Sequence, residues 1–116
     1  MNIIFNNENK RFRLEVKDSE GVEVVTPVNV QAIRVILKNS YKKDIWLDYR
    51  YPSEIEYPEI ILSAGKFYFE ITTTQAATLI EDEIEVIVNY HVNDVNFEEG
   101  FKSFTQKGKL FITKKI

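Results

Sequence analysis

The feature that most constrains this chain is its period-two alternation of apolar and polar residues. Arg11-Phe12-Arg13-Leu14-Glu15-Val16-Lys17 alternates without a break, and Glu83 to Val92 sends Ile84, Val86, Val88, Tyr90 and Val92 one way and Glu85, Ile87, Asn89 and His91 the other. A side chain repeat of two places one dry and one wet face on an extended strand and is incompatible with an amphipathic helix. Further strands read as Val28 to Leu37, with a change of phase near Ala32, then Asp44 to Tyr51, Ile60 to Leu62 and Lys66 to Ile71. The phase change signals either a bulge or a stretch covered on both faces. Val22-Glu23-Val24 begins a return strand after the turn Asp18-Ser19-Glu20-Gly21. Phe101 to Gln106 and Lys109 to Ile116 read as a closing hairpin broken at Lys107-Gly108.

The one helical piece is Thr72 to Leu79, a single turn near 74–79 capped by Thr74 and anchored by Leu79. The total is about seven or eight short strands with frequent turn signals, which predicts an all-β antiparallel sandwich. The expected core is Phe12, Leu14, Val16, Val30, Val35, Leu37, Phe67, Phe69, Ile71, Leu79, Ile84, Val86, Val88, Tyr90, Leu110 and Ile112. With 116 residues there is material for one core, so the expected organisation is an N-terminal arm, 1–10, and a single sandwich domain, 11–116.

The residues that carry chemistry are sparse. The chain has no Cys and one His, His91, on the outward phase of its strand. Thiol nucleophiles and Cys-bound metals are excluded, and a lone exposed His lacks the partners that a general base or a metal needs. Ser63 sits in Leu62-Ser63-Ala64-Gly65, which lacks a nucleophile elbow, and the four glycines are isolated at turns rather than gathered in a phosphate loop. Glu81-Asp82-Glu83 with Glu85 is the densest acidic run, but it enters a strand directly, as a charged sheet edge does and a calcium loop does not. The expectation is a protein that is not an enzyme and holds no cofactor or metal. A formal charge of −3 argues against nucleic-acid binding. Ile3-Ile4-Phe5 is too short for a signal peptide's apolar core, and no stretch approaches the ~18 apolar residues of a membrane span.

Binding residues come from two places. Trp46, Tyr49, Tyr51 and Tyr57 cluster in the middle third, where Pro52 and Pro58 bracket a poorly patterned segment. Exposed, they would stack sugars or anchor a protein partner; inward, they would be core. Ile3, Ile4 and Phe5 are cut off from the first strand by Asn6-Asn7-Glu8-Asn9. Such an arm either forms an edge strand of its own sandwich or adds a strand to a neighbour. The expected partner-binding set is therefore Ile3, Ile4, Phe5, Tyr49, Tyr51 and Tyr57. Charge is also segregated: residues 81–100 hold seven acids and no Lys or Arg, and residues 101–116 hold five lysines and no acid. In one hairpin these segments neutralise each other; on separate surfaces they suit head-to-tail packing.

From Lys66 onward the order of features resembles a known family. The turn at Gly65, the strand Lys66-Phe67-Tyr68-Phe69-Glu70-Ile71, the turn Thr74-Gln75-Ala76-Ala77-Thr78-Leu79, a long alternating strand and the ending Gly108-Lys109-Leu110-Phe111-Ile112 together look like the small immunoglobulin-like β-sandwich domains of tailed-phage structural proteins, including the amino-terminal domain of baseplate upper proteins. Phe12-Arg13-Leu14 and Asp18-Ser19-Glu20-Gly21 resemble that family's opening strand and turn more loosely. The resemblance implies a non-catalytic component of a bacteriophage virion, capsid-attached or a neck or tail accessory, whose partners are other virion proteins and, through oligomerisation, copies of itself. It brings no catalytic residues. The rival reading from the aromatics is a carbohydrate-binding sandwich module.

Overall fold

The computed structural model describes residues 2–5, 8–17, 20–22, 29–79 and 82–113. Its elements, in chain order, are β1 (Asn2–Phe5), β2 (Lys10–Leu14), β3 (Val30–Asn39), β4 (Ile45–Tyr51), β5 (Ile61–Ser63), β6 (Lys66–Ile71), the helical turn α1 (Thr73–Ala76), β7 (Asp82–Asn93) and β8 (Phe101–Thr113). They form an all-β sandwich, a five-stranded sheet in the order β1-β8-β7-β3-β4 facing a three-stranded sheet β2-β6-β5. With β2 to β8 taken as strands B, C, C′, D, E, F and G, this is the strand order of an immunoglobulin-like sandwich. The return strand expected at Val22-Glu23-Val24 lies largely outside the described residues.

Alternation builds the core as anticipated. Val35, Leu37, Phe67, Phe69, Ile71, Ile84, Val88, Tyr90, Leu110 and Ile112 are buried between the sheets, with Phe12, Leu79 and Val86 half-buried against them. On β3 the β7 register slips between Val30 and Ala32. This bulge lets Val30 and then Ile33, Val35 and Leu37 all face inward. Ile33, Tyr49, Ile60, Ala76 and Val92 join the core as well.

Three expectations are corrected. The closing hairpin does not exist: β8 runs unbroken through Lys107-Gly108, paired with β7 from Asn93↔Phe101 to Asp82↔Ile112. Gly108 lies opposite Val86 with no left-handed backbone, so nothing there turns the chain. The turn lies earlier, at residues 94–100, where Gly100 at φ +82° accepts a conformation that side chains disfavour. The helix cap is Thr72, not Thr74: the Thr72 hydroxyl accepts from the Gln75 amide at 3.1 Å, and the Gln75 side chain accepts from the Thr72 amide at 2.9 Å. That reciprocal pair is the Thr-x-x-Gln capping box. Finally, residues 2–5 are not a separate arm. They form β1, which pairs in parallel with the end of β8, Ile4 opposite Ile112.

Candidate partner-binding surface

The six residues expected to bind partners fall into different environments. Ile4 and Tyr49 are each only 2% exposed and cannot touch a partner. Alternation on β1 explains the first, since Ile4 points between the sheets while Ile3 and Phe5 point out. Tyr49 lies on the inward phase of β4 opposite Val35, tilts against Phe69 and donates its hydroxyl to the Glu70 carbonyl. Burial, followed by the Glu70 charge, raises its phenol above the usual range. Tyr51 is half-buried, edge-on to Phe67 with ring centroids 5.0 Å apart. Trp46 is half-buried too, its indole donating to the Thr78 hydroxyl at 3.0 Å. Tyr57 lies apart from these rings, under the Arg50 guanidinium. These aromatics do not make a coplanar sugar platform.

Tyr57 belongs to a charged network on the outer face. Outward residues Arg34 of β3 and Asp48 and Arg50 of β4 meet there because their inward neighbours fill the core. Arg34 donates to both Asp48 oxygens at 3.1 and 2.8 Å, and Arg50 to the same two oxygens at 3.0 and 3.2 Å. Burial pushes the Asp48 carboxyl up, but the hydrogen bonds and charges of Arg34 and Arg50 outweigh it and hold the group down at about 2. Arg50 also donates to Glu54 at 3.2 Å and lies 4.1 Å from the Tyr57 ring centroid. One arginine thus ties residues 52–58 to the sheet in two ways, through Glu54 and through Tyr57.

That tether sets the shape of one end of the sandwich. Ile33 of β3 faces both Tyr51 and Tyr90, and Val30 faces Val92. The connection after β4 and the β7–β8 loop therefore leave the sheet at the same end, two strands or about 10 Å apart. In the first, the Tyr57 amide donates to the Glu54 carbonyl at 3.1 Å, and Ile55 at the tip is fully exposed. In the second, Asp94 caps its own turn: its carboxylate accepts from the Asn96 amide at 3.0 Å and its amide donates to the Gly100 carbonyl at 2.9 Å. Val95 at that tip is 96% exposed. Glu56, Glu98 and Glu99 add negative charge around the two tips, where Glu54 is paired with Arg50.

The other candidate groups are absorbed into the fold. His91 stacks on Phe101, centroids 4.3 Å apart and rings 9° from parallel. In the acidic run, Asp82 accepts from the buried Asn39 side chain, and Glu83 pairs with Lys109 at 3.4 Å. That pair, with Glu85 opposite Lys109, brings the acidic and basic segments together across the β7–β8 ladder. Among the described residues no group of three or more His, Asp or Glu side chains is placed to hold a metal, and no helix is long and apolar enough to cross a membrane.

Arg34, Asp48, Arg50, Ile55 and Val95 were missing from the sequence-based set. The readable signals were charges at alternate positions 48 and 50 of an otherwise apolar strand, and single apolar residues inside turn-rich loops. No family model, curated protein or solved structure matches the chain.

Proposed function

We propose that the chain is a non-catalytic structural module that works through protein–protein contacts, in the setting its family resemblance implies, as a capsid-attached or neck or tail component of a bacteriophage virion. One observation carries the contact reading: Ile55 and Val95 are held in solvent on two hydrogen-bonded loops at one end of the sandwich. A large apolar side chain placed in water on a pre-ordered loop gains on binding, since burying it is worth ~1.5–3 kcal/mol and little ordering cost remains. Immunoglobulin-like sandwiches present loops at their ends for recognition.

The test is incorporation into purified virus particles, measured by quantitative mass spectrometry. The wild-type chain is expected at a fixed copy number per particle, and the Ile55→Asp/Val95→Asp variant is expected to be depleted with its circular dichroism and melting unchanged. Absence of the wild-type chain from particles would overturn the virion setting. Full incorporation of the variant would overturn the loop end as the contact.

A further inference from the structure

We infer that the loop end of one copy receives the β3–β4 hairpin of a second copy, so that the chain associates head to tail. This deepens the contact reading above, rests on it, and names the partner. The hairpin turn is tied by hydrogen bonds: the Lys43 amide donates to the Asn39 carbonyl at 2.8 Å, the Asn39 amide to the Asp44 carbonyl at 2.9 Å, and the Ser40 amide to the Glu83 carbonyl at 2.9 Å. On it stands Tyr41, 95% exposed, followed by the exposed cations Lys42 and Lys43 and by the exposed Ile45.

The loop end offers the complement. A depression of about 480 Å³ beside the β7–β8 loop is lined by Phe97, Glu98, Glu99, Phe101, Lys102 and Ser103. Lys102, part of that lining, lies over the Phe104 ring, 5.1 Å from its centroid. Among the described residues Glu98 and Glu99 form no ion pair. Tyr41 entering the depression meets Phe97 and Phe101, and Lys42 and Lys43 then face Glu98 and Glu99. Rigid aromatic anchors beside complementary charge are the usual makings of a specific contact.

The two surfaces cannot meet within one copy. Asn39 pairs with Ile84 at one end of β7, and Asn93 pairs with Phe101 at the other. Strands of this length run about 40 Å, along a molecule 51 Å in its longest dimension. Different patches on opposite ends make a heterologous contact, which closes into a ring or propagates as a filament.

Sedimentation velocity across a concentration series tests this with two charge-reversal variants, Lys42→Glu/Lys43→Glu and Glu98→Lys/Glu99→Lys. Wild-type protein is expected to form species larger than a monomer as concentration rises. Each variant alone, with unchanged circular dichroism, is expected to sediment as a monomer, because positions 42 and 43 and positions 98 and 99 then carry like charges. An equimolar mixture is expected to associate again, each variant supplying the end the other lacks. A wild type that stays monomeric, association that survives either reversal, or a mixture that remains monomeric would overturn the inference. A monomeric wild type would sink only the self-contact, since the Ile55 and Val95 test on particles reads the loop end independently.

Discussion

The Arg50 guanidinium lies 4.1 Å from the centroid of the Tyr57 ring while holding both oxygens of Asp48. A strand residue is thereby coupled to the loop that follows it, and the exposed Ile55 is positioned by a contact outside the core. Replacing Arg50 by Ala should leave the sandwich folded but loosen residues 52–58. Hydrogen exchange at the Tyr57 amide, which donates to Glu54, should accelerate several-fold while amides in β7 keep their protection. Arg50→Lys should rescue only part of this, because an ammonium cannot hold two carboxylate oxygens and stack at once. Equal exchange in wild type and Arg50→Ala would show the loop to be held by its own bonds.

Asp48 supplies a pH dependence whose sign is fixed. Its folded carboxyl sits at about 2, below the ordinary carboxylate value. A depressed acid contributes stability that is fully present above its unfolded pKa of roughly 4 and is lost as pH falls toward 2. With Arg34 half-exposed, solvent screening leaves that contribution at about 1 kcal/mol. Urea unfolding at neutral pH and near pH 2.5 should therefore show a drop that is smaller by about that amount in Asp48→Asn. The Asn variant itself, which leaves two guanidiniums side by side, should lose about 1–2 kcal/mol at neutral pH. An unchanged acid-induced drop in Asp48→Asn would remove Asp48 from the account.

The first strand gives a test of alternation within four residues. Ile4 is buried opposite Ile112, while Ile3 is 59% exposed. Ile4→Ala should cost about 2–4 kcal/mol in urea unfolding, and Ile3→Ser should change stability by less than about 0.5 kcal/mol. Removing residues 1–9 should destabilise the domain at least as much as Ile4→Ala. If Ile4→Ala and the truncation both left stability unchanged, β1 would not belong to this core in solution.

Most of the sandwich was legible because alternation carries the inside and outside of each strand locally. The bulge at Ala32 appeared as a break of phase, and the turns at residues 63–66 and 94–100 appeared through Gly65 and Gly100. What escaped depends on partners distant in sequence. Tyr49 is polar enough to suit a surface; packing against Phe69 and the Glu70 carbonyl that takes its hydroxyl make it a core residue. Asp48 reads as an ordinary wet-face acid until β3 brings Arg34 beside it. Ile3-Ile4-Phe5 has the same composition whether it lies on β8 or elsewhere, and only the parallel register assigns Ile4 to the core.

Lys107-Gly108 illustrates the same limit and can be tested directly. A Lys-Gly pair between two apolar runs reads as a turn, yet the residues it separates pair continuously with one partner strand. Gly108 keeps a backbone that any residue adopts, and a Cβ built there meets no atom within 4 Å. It is exposed and opens onto a cleft of about 210 Å³ lined both by apolar residues such as Phe12, Phe69 and Val88 and by polar ones such as Arg13, Glu15 and Gln106. Gly108→Val should therefore stabilise the protein by about 1 kcal/mol, by removing the conformational freedom of a strand-interior glycine and by the β preference of a branched side chain. If the chain turned at Gly108 through a left-handed backbone, the same substitution would be strained and destabilising by a similar amount or more. Urea unfolding separates the two by the sign of the change: a loss of stability would place a turn where the continuous β8 now runs.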